Sequence, residues 1–332
     1  MTIGEIAKLA GVSKTTVSRV LNNKPDVKPE TRIKIMELIE QKNFHPNAFA
    51  KAISSQISNS LGLIIPYEAE YIFSNPFYVE VLRGVSTQAN IMGYFLNVCY
   101  PHDQNYVDIY KQKRVDGFIL ISPGSKHLSI IDSLKQEGAP FVATARIPSE
   151  KDLTYVDVDN FAGGIMATEH LISLGHRRIG FIGKPTMTSS TDRFDGYKEA
   201  LKKHHIEYDD NLVRVSETSS IEGGYLSVLE LLEIRHKPTA IFLTNDLLAL
   251  GALKAIDEKG LNVPGDISVV GFDDIPMADY VTPPLTTIRQ PAYEKGVEAS
   301  KILVNYLKNN KPLKSKMLSL ELIVRKSTAA CR

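Results

Sequence analysis

Apolar residues in the first forty-five positions recur at helical spacing and are separated by short polar turns. Thr2 and Glu5 fit a capping box at the start of a first helix. Gly11 suits the turn after it, Ser13 suits the N-cap of a second helix, and Pro29 suits the first position of a third. Each helix carries one apolar stripe: Ile6, Leu9 and Ala10; Val17, Val20 and Leu21; Ile35, Leu38 and Ile39. The pattern predicts a small all-α bundle whose first two helices form a helix-turn-helix.

From Leu61 onward, uninterrupted apolar runs alternate with amphipathic helical stretches. Predicted strands cover 61–66, 94–100, 116–122, 140–145, 177–183, 239–245, 267–274 and 317–324. Predicted helices cover 77–92, 127–137, 161–174, 192–204, 222–233, 246–259 and 292–309. Such alternation is typical of parallel sheets covered on both faces. Two series of it predict an α/β core of two Rossmann-like parallel-sheet subdomains, with a ligand cleft between them and a last helix and strand that complete both sheets.

The stretch FHPNAFAKAIS, at 44–54, lies between these two regions. Pro46 ends the preceding structure, and Asn47 can cap a new helix on which Phe49 and Ile53 share one face. This helix is too short to be stable alone in water, and the polar SSQISNS after it is typical of a linker. The predicted organisation is a helix-turn-helix domain at 1–45, a hinge helix and linker at 46–60, one core subdomain from 61–159 and 290–318, and a second from 160–289 and 319–332.

Composition narrows the class of protein. The chain of 332 residues is 43% hydrophobic and 23% charged, which is ordinary for a globular protein. Two cysteines, Cys99 and Cys331, give neither a disulfide framework nor metal spacing, so a reducing cytoplasm is expected. No secretory signal or membrane span is apparent. The net charge of +1 hides an asymmetry, because residues 1–57 carry nine Lys or Arg against five Asp or Glu, leaving them at +4 and the remainder at −3.

The polar side of the second helix sets a choice between two interpretations. Thr15, Ser18, Arg19 and Asn22 repeat at helical spacing opposite the apolar stripe. Hydroxyls, an amide and a fork-shaped guanidinium are the groups that read base edges in the major groove. A solvated helix face explains the same residue types equally well. The residues of this helix alone leave both interpretations open.

The whole chain resembles the LacI-type (lactose repressor-like) family of bacterial transcription regulators. Matching stretches occur in the family's order from the first residues to near the last: IAKLAGVSKTTVSRVLN, FHPNAFAKAI, LGLIIP, NPFYVEVLRGV, KRVDGFIL, VDVDN, HLISLGHRRIGFIG, DRFDGYKEAL, LTNDLLALGALKA, ISVVGFDD and PPLTTIRQP. The resemblance implies an N-terminal helix-turn-helix, a hinge helix and a core shaped like periplasmic sugar-binding proteins. It also implies a homodimer on a palindromic double-stranded operator, controlled by a small effector.

Residues for DNA contact follow from the resemblance position by position. Lys14, Thr15, Thr16 and Arg19 fall where the family makes its major-groove contacts, while Ser13 and Asn22 are expected to position the helix. In the family the hinge helix folds on DNA and wedges an aliphatic pair into the minor groove; here Ile53 occupies the wedge position beside Ala52. The full predicted set is Ser13, Lys14, Thr15, Thr16, Ser18, Arg19, Asn22, Asn47, Ala52 and Ile53.

The predicted effector site lies at strand ends facing the cleft. Arg193 and Asp273 align with the family's pocket arginine and aspartate, and Asn245 ends a strand before a helix. A guanidinium, a carboxylate and an amide suit vicinal hydroxyls, which donate and accept hydrogen bonds. Aromatic faces suit a sugar ring. The predicted set is Phe77, Tyr78, Arg146, Arg193, Asn245 and Asp273.

Each of these residues also has a purely structural interpretation. Arg193 could pair with Asp192 or Asp195, Asn245 could cap the helix after it, and Asp273 could be an ordinary turn residue. Ser219 stands where several relatives place a stacking aromatic. Either the pocket is wider here, or Phe73, Phe77 or Phe161 supplies the ring.

The prediction is a sequence-specific transcriptional regulator, a repressor, whose operator affinity depends on a sugar or sugar derivative. A nucleobase effector and a phosphoprotein partner are the open alternatives to the sugar. The alternative is a cytoplasmic sugar-binding module of the periplasmic type without DNA regulation, which has no use for residues 1–57. An enzyme is not expected, because the chain has no P-loop, dinucleotide fingerprint, nucleophile elbow or metal-ligand pair of the H-E-x-x-H kind. No cofactor, metal or membrane partner is expected.

Overall fold

The computed structural model describes residues 1–21, 24–44, 57–99, 105–184 and 188–332, which form two compact units. The first unit holds three helices: α1 (Ile3–Ala10), α2 (Lys14–Leu21) and α3 (Pro29–Gln41). Val17, Val20 and Ile35 fill its small core, together with Ile6 of α1. The three-helix arrangement is the one that the apolar spacing predicts.

Local capping explains where the first two helices begin. The Thr2 side chain accepts from the Glu5 amide, and the Glu5 carboxylate accepts from the Thr2 amide at 2.7 Å, so the capping box is confirmed. Ser13 Oγ accepts from the Thr16 amide at 3.1 Å. Gly11 turns the chain with φ of +71°, a region that favours glycine. The N-terminal signals of the sequence are therefore used as expected.

The prediction that Leu9 belongs to the core stripe is wrong, because its side chain is 52% exposed. The buried face of α1 is made by Ile6, Ala7 and Ala10. At 100° per residue, the face that includes Ala7 is centred about a third of a turn away from Leu9. The Leu9 side chain therefore lies beside this face and not on it.

The second unit contains two main sheets and the helices that cover them. Its strands are β1 (Ser60–Ile64), β2 (Phe95–Cys99), β3 (Gly117–Leu120), β4 (Phe141–Ala143), β5 (Val156–Val158), β6 (Ile179–Gly183), β7 (Val213–Val215), β8 (Ala240–Leu243), β9 (Ser268–Asp273), β10 (Thr286–Arg289), β11 (Lys316–Leu318) and β12 (Glu321–Ile323). Its helices are α4 (Ala69–Ser74), α5 (Pro76–Ile91), α6 (Tyr106–Lys111), α7 (Leu128–Glu137), α8 (Asn160–Ser173), α9 (Thr188–Lys203), α10 (Ile221–Leu232), α11 (Asp246–Glu258) and α12 (Ala292–Asn309).

The first sheet is parallel, in the order β2-β1-β3-β4. Alternate side chains point to opposite faces: Leu61 and Leu63 pack with α5 and α12, whereas Ile64 and Phe118 pack with α6 and α7. The parallel pair β5–β11 extends this region, since a bridge joins Ala143 of β4 to the chain just before β5. β1, β3 and β4 are covered on both faces, which is why these strands are almost wholly apolar. The edge strand β2 is less covered, and its Phe95 and Val98 are exposed.

The second sheet has the order β12-β10-β9-β8-β6-β7, parallel except for the β10–β12 pair. Phe181, Phe242 and Phe272 face α8 and α9, and Ile241 and Leu243 contribute to the core on the side of α10 and α11. The predicted α/β fold class is therefore confirmed in its main feature, two helix-covered parallel sheets. No helix in the described part of the chain is long and apolar enough to cross a membrane.

The predicted strand at 317–324 is two strands. Lys316–Leu318 pairs with β5 on the side of the first sheet, and Glu321–Ile323 pairs with β10 of the second. A single extended run therefore completes both sheets, with the crossing between them at 319–320. Periodicity could not reveal this break, because residues on both sides of it are extended.

Candidate functional site

A cavity of about 380 Å³ lies between the two sheets, at the carboxyl ends of their strands. Ser122 lies just after β3, Lys184 directly follows β6, and Asp273 is the last residue of β9. In open parallel sheets this edge, where neighbouring loops diverge, is the usual place for a small ligand. All six predicted effector residues line the cavity: Phe77, Tyr78, Arg146, Arg193, Asn245 and Asp273.

Arg193, on α9, is buried and held by acceptors on neighbouring elements. Its Nε and Nη2 donate to Asn160 Oδ1 at 3.0 and 2.8 Å, and Nη1 donates to the Thr244 carbonyl. The guanidinium carbon lies 3.5 Å from the centroid of the Phe272 ring. The α8 and α9 backbones approach closely here, because a Cβ on Gly164 would lie only 2.3 Å from the Arg193 carbonyl oxygen. The guanidinium is thus fixed in direction at the cavity wall.

Asp273 places a buried carboxylate beside that guanidinium. Its Oδ1 accepts from Gln290 Nε2 at 2.5 Å and lies 3.8 Å from Arg193 Nη1. Burial raises the pKa of Asp273 to about 6, against the opposing effects of Arg193, the Gln290 hydrogen bond and Lys295. Its φ is +119°, a conformation that residues with side chains rarely adopt. The surrounding packing therefore holds this carboxylate in a strained position.

A second buried ion pair is connected to the first through Gln290. Lys295 Nζ, on α12, is 3.0 Å from Asp157 Oδ1, on β5, and both residues are 3% exposed. Lys295 also donates to Gln290 Oε1 at 3.4 Å, and the Arg146 amide donates to Asp157 Oδ2 at 2.9 Å. Gln290 therefore links the two pairs, and one polar network connects strands on both sides of the cleft.

Arg146 and Asp192 form an ion pair across the cleft. Arg146 follows β4 and Asp192 lies on α9, and the closest nitrogen and oxygen are 2.5 Å apart. Burial raises the pKa of Asp192, and the Arg146 charge opposes that shift. The possibility that Arg193 pairs with Asp192 or Asp195 is thereby removed, since Asp195 pairs with Lys198 at 2.8 Å.

Asn245 combines the structural and the cleft-facing interpretations. Its Oδ1 accepts from the Leu248 amide at 2.8 Å and so caps α11, while the residue also lines the cavity. The adjacent Asp246 is wholly buried and accepts from the Ile275 amide at 2.9 Å and from the Thr287 hydroxyl at 2.6 Å. Burial raises the pKa of Asp246 well above its ordinary value.

Aromatic rings form one wall of the cavity. The centroids of Tyr67 and Tyr71 are 5.6 Å apart, and Tyr78 lies 6.4 and 5.8 Å from them. Phe77 packs edge-on against Tyr78 with centroids 5.3 Å apart. Burial raises the pKa of Tyr71, and the side chain of Ser219 on the opposite wall opposes that shift. Tyr71, on the side of the first sheet, thus lines the same cavity as Ser219, the position where several relatives have a stacking aromatic.

Of the three aromatic residues proposed as substitutes, only Phe77 is among the described lining residues. Phe73 and Phe161 are 55% and 38% exposed and lie outside the cavity wall. Tyr67 and Tyr71 were not predicted as site residues, although their four-residue spacing offered a signal. Nor was Lys295, a charged residue on the helical face that carries Ala299 and Leu303, where apolar residues normally occur.

The polar face of α2 has the exposure that contact with DNA requires. Ser13, Lys14, Thr15 and Arg19 are exposed, and Val17 and Val20 on the opposite face are buried. Ser13 is engaged as the N-cap, with its hydroxyl 2.9 Å from that of Thr16. Four other predicted contacts lie outside the described residues: Asn22, Asn47, Ala52 and Ile53.

Arg19 reaches one described carboxylate. Its Nη1 is 3.2 Å from Asp26 Oδ2, and both side chains are more than half exposed. Such surface ion pairs are weak, so the guanidinium can leave Asp26 at little cost. Ser18, which shares this helix face, is half-buried.

The chain is similar to known proteins over nearly its whole length. Residues 2–47 match the model for bacterial regulatory proteins of the lacI family, and residues 168–328 match that for a periplasmic binding protein-like domain. The chain is 37% identical to the probable HTH-type transcriptional repressor ExuR of Bacillus subtilis strain 168, over 98% of each chain.

Two solved structures show the same similarity. The transcriptional regulator CelR in complex with cellobiose is 31% identical, with a TM-score of 0.76 over 98% of this chain and 99% of its own. The lac repressor dimer bound to operator and the anti-inducer ONPF is 26% identical, with a TM-score of 0.85 over 99% of both chains. All three relatives are named as transcriptional regulators or repressors. The chain belongs to the LacI family of bacterial transcriptional regulators.

Proposed function

We propose that this chain is a cytoplasmic repressor that binds a palindromic operator as a homodimer and responds to a sugar or sugar derivative in its cavity. The observation that carries the proposal is the cavity itself. Arg193, Asp273 and Asn245 converge on one space beside the rings of Phe77 and Tyr78. This donor and acceptor set, next to flat apolar surfaces, is what a polyhydroxylated ring requires.

The DNA-binding part of the proposal rests on α2. Lys14, Thr15 and Arg19 are exposed on the side away from its buried valines, so they can reach base edges when the helix lies in the major groove. Thr16 and Ser18 flank them, and Ser13 fixes the helix start. Asn22 and the hinge residues Asn47, Ala52 and Ile53 complete the proposed contact set.

Regulation is proposed to act through contacts that cross the cleft. The Arg146–Asp192 ion pair joins the two sides at the cavity, and Tyr71 and Ser219 line the cavity from opposite sides. An effector that favours one spacing of the two sides shifts the population of that state, and operator affinity changes accordingly. The proposed moving parts are the predicted subdomains, 61–159 with 290–318 and 160–289 with 319–332.

Operator selection from random duplexes at fixed salt tests this function. The purified chain is expected to enrich one palindrome, and one member of a sugar panel is expected to change its affinity for that palindrome. The related CelR structure contains cellobiose, which therefore belongs in the panel. Failure to enrich any palindrome contradicts the DNA-binding proposal. A palindrome that no sugar affects contradicts the effector proposal alone.

A further inference from the structure

The first turn of α9 faces the cavity and carries no acidic residue. Thr188, Ser189 and Ser190 all line the cavity. The first amides of a helix have no acceptor within the helix, and the helix dipole makes this end partly positive. At 16 residues, α9 is long enough to have a full helix dipole. On its own, this geometry would leave the identity of any ligand open.

Ser190 supplies an independent sign of a ligand. The side chain is 6% exposed, yet its Oγ has no hydrogen-bond partner in the described structure. A buried hydroxyl without a partner is unfavourable, because it has lost its hydrogen bonds to water. Because Ser190 lines the cavity, a ligand atom placed there would satisfy it.

Lys184 adds a cation at the same end of the cavity. It directly follows β6, four residues before α9 begins, and its Nζ donates to the Glu217 carbonyl. No described carboxylate forms an ion pair with it. Arg193, Lys295 and Arg146 differ in this respect, because each faces an aspartate. Lys126, the fifth cation of the described lining, likewise forms no ion pair with a described carboxylate.

The wall as a whole is more cationic than anionic. Among the described lining residues, five are Lys or Arg and three are Asp or Glu, and Asp192, just outside this lining, neutralises Arg146, so the excess is one positive charge. A neutral sugar would leave this excess and the α9 terminus without a counter-charge. A carboxylate or a phosphate would accept from the Ser190 hydroxyl and the first-turn amides and would pair with Lys184.

We propose that the effector is an anionic sugar, held by its carboxylate or phosphate at the N-terminus of α9 through Ser190 and Lys184. This inference rests on the proposed sugar-binding function of the cavity. It narrows the effector class from sugars in general to sugar acids and sugar phosphates.

The test uses matched ligands with the full-length chain. Glucose, galactose and mannose are each compared with their uronic acid and their 6-phosphate by titration calorimetry at fixed ionic strength. The wild type is measured beside Lys184→Met and Ser190→Ala. Lys198→Met is the control, since Lys198 lies on α9 but outside the described lining and pairs with Asp195.

We expect at least one acidic ligand to bind about tenfold or more tightly than its neutral parent, the size expected for a charge-assisted contact. Lys184→Met is expected to remove about tenfold of that affinity and Ser190→Ala about threefold, in each case more than the same variant changes the affinity of the neutral parent. Lys198→Met should bind as the wild type does. Which of the two acids binds identifies the anion.

Other outcomes overturn the inference in distinguishable ways. Neutral sugars that bind as tightly as their acids would contradict the anionic class while leaving the sugar-binding proposal intact. Acid selectivity that survives both Lys184→Met and Ser190→Ala would contradict the assignment to α9. Absence of binding by all nine ligands would contradict both the inference and the proposed effector class.

Discussion

Helix α2 and the cavity hold their polar groups in opposite ways. On α2 the groups proposed to bind DNA are exposed, and Arg19 has one weak surface partner. Around the cavity, Arg193, Asp157 and Lys295 are buried and each is held by several partners. Substitution on α2 should therefore alter binding alone, whereas substitution in the cavity network should alter folding as well. The predictions below test this difference from the largest effect to the smallest.

Lys295→Met is expected to destabilise the core by about 3–5 kcal/mol, because it leaves Asp157 buried without its cation. Chemical denaturation followed by circular dichroism measures the change. The double variant Asp157→Asn with Lys295→Met removes both charges and should recover most of the loss. Lys198→Met, which breaks an exposed pair, should cost less than about 1 kcal/mol. Equal losses in the two single variants would contradict the contrast.

The Asp273 carboxyl should make stability depend on pH. Its pKa is about 6 in the folded chain and 3.8 as the ordinary value, so between these pH values the folded state binds the proton more tightly. Its contribution is therefore present below pH 4 and is lost as pH rises through 6, by about 3 kcal/mol in total. Unfolding free energies of wild type and Asp273→Asn, measured from pH 4 to 7, should diverge by that amount. Parallel curves would show that the carboxyl does not titrate in this way.

Arg19→Ala is expected to weaken operator binding by about 1–3 kcal/mol, the range for a good base contact, while leaving the fold intact. The reason is that Arg19 is exposed and lies away from Val17 and Val20. Fluorescence anisotropy with the selected palindrome measures the affinity, and circular dichroism checks the fold. Asp26→Asn removes the carboxylate near Arg19 and serves as the matched control. Its affinity should equal or exceed that of the wild type.

Ser13→Ala should give the smallest effect, a loss of about 1 kcal/mol in the stability of the helix-turn-helix unit. The Ser13 hydroxyl caps α2 by accepting from the Thr16 amide. Ser13→Asp keeps an acceptor at the N-cap and should restore the stability. Thermal unfolding of the pair shows whether the cap or the charge matters.

The difference between α2 and the cavity also explains which features could be predicted from the sequence. The α2 face was predictable because helical spacing alone separates Thr15 and Arg19 from Val17 and Val20. The fold class was predictable because the apolar strands of both sheets are continuous and buried. Short strands such as β5 and β7 were missed, since three residues are too few to show a period.

The cavity was predictable only in part. Arg193 and Asp273 were found through the family resemblance, but their partners Asn160 and Gln290 were not, because side-chain pairing across distant elements leaves no local pattern. The Arg146–Asp192 pair likewise joins residues 46 positions apart in the sequence. Arg146 lies on the side of the first sheet and Asp192 on the side of the second. Lys295 was also not predicted, but in its case the sequence does carry a signal, since it is a lysine on the apolar face of a helix.

The central claim is that the exposed helix and the buried cavity are coupled. The most direct test measures the Kd of the identified effector for the free chain and for the chain saturated with its operator duplex. Thermodynamic linkage predicts that the operator changes effector affinity by the same factor as the effector changes operator affinity, with typical values of about 5–150-fold. An effector Kd that is identical with and without operator would contradict the claim.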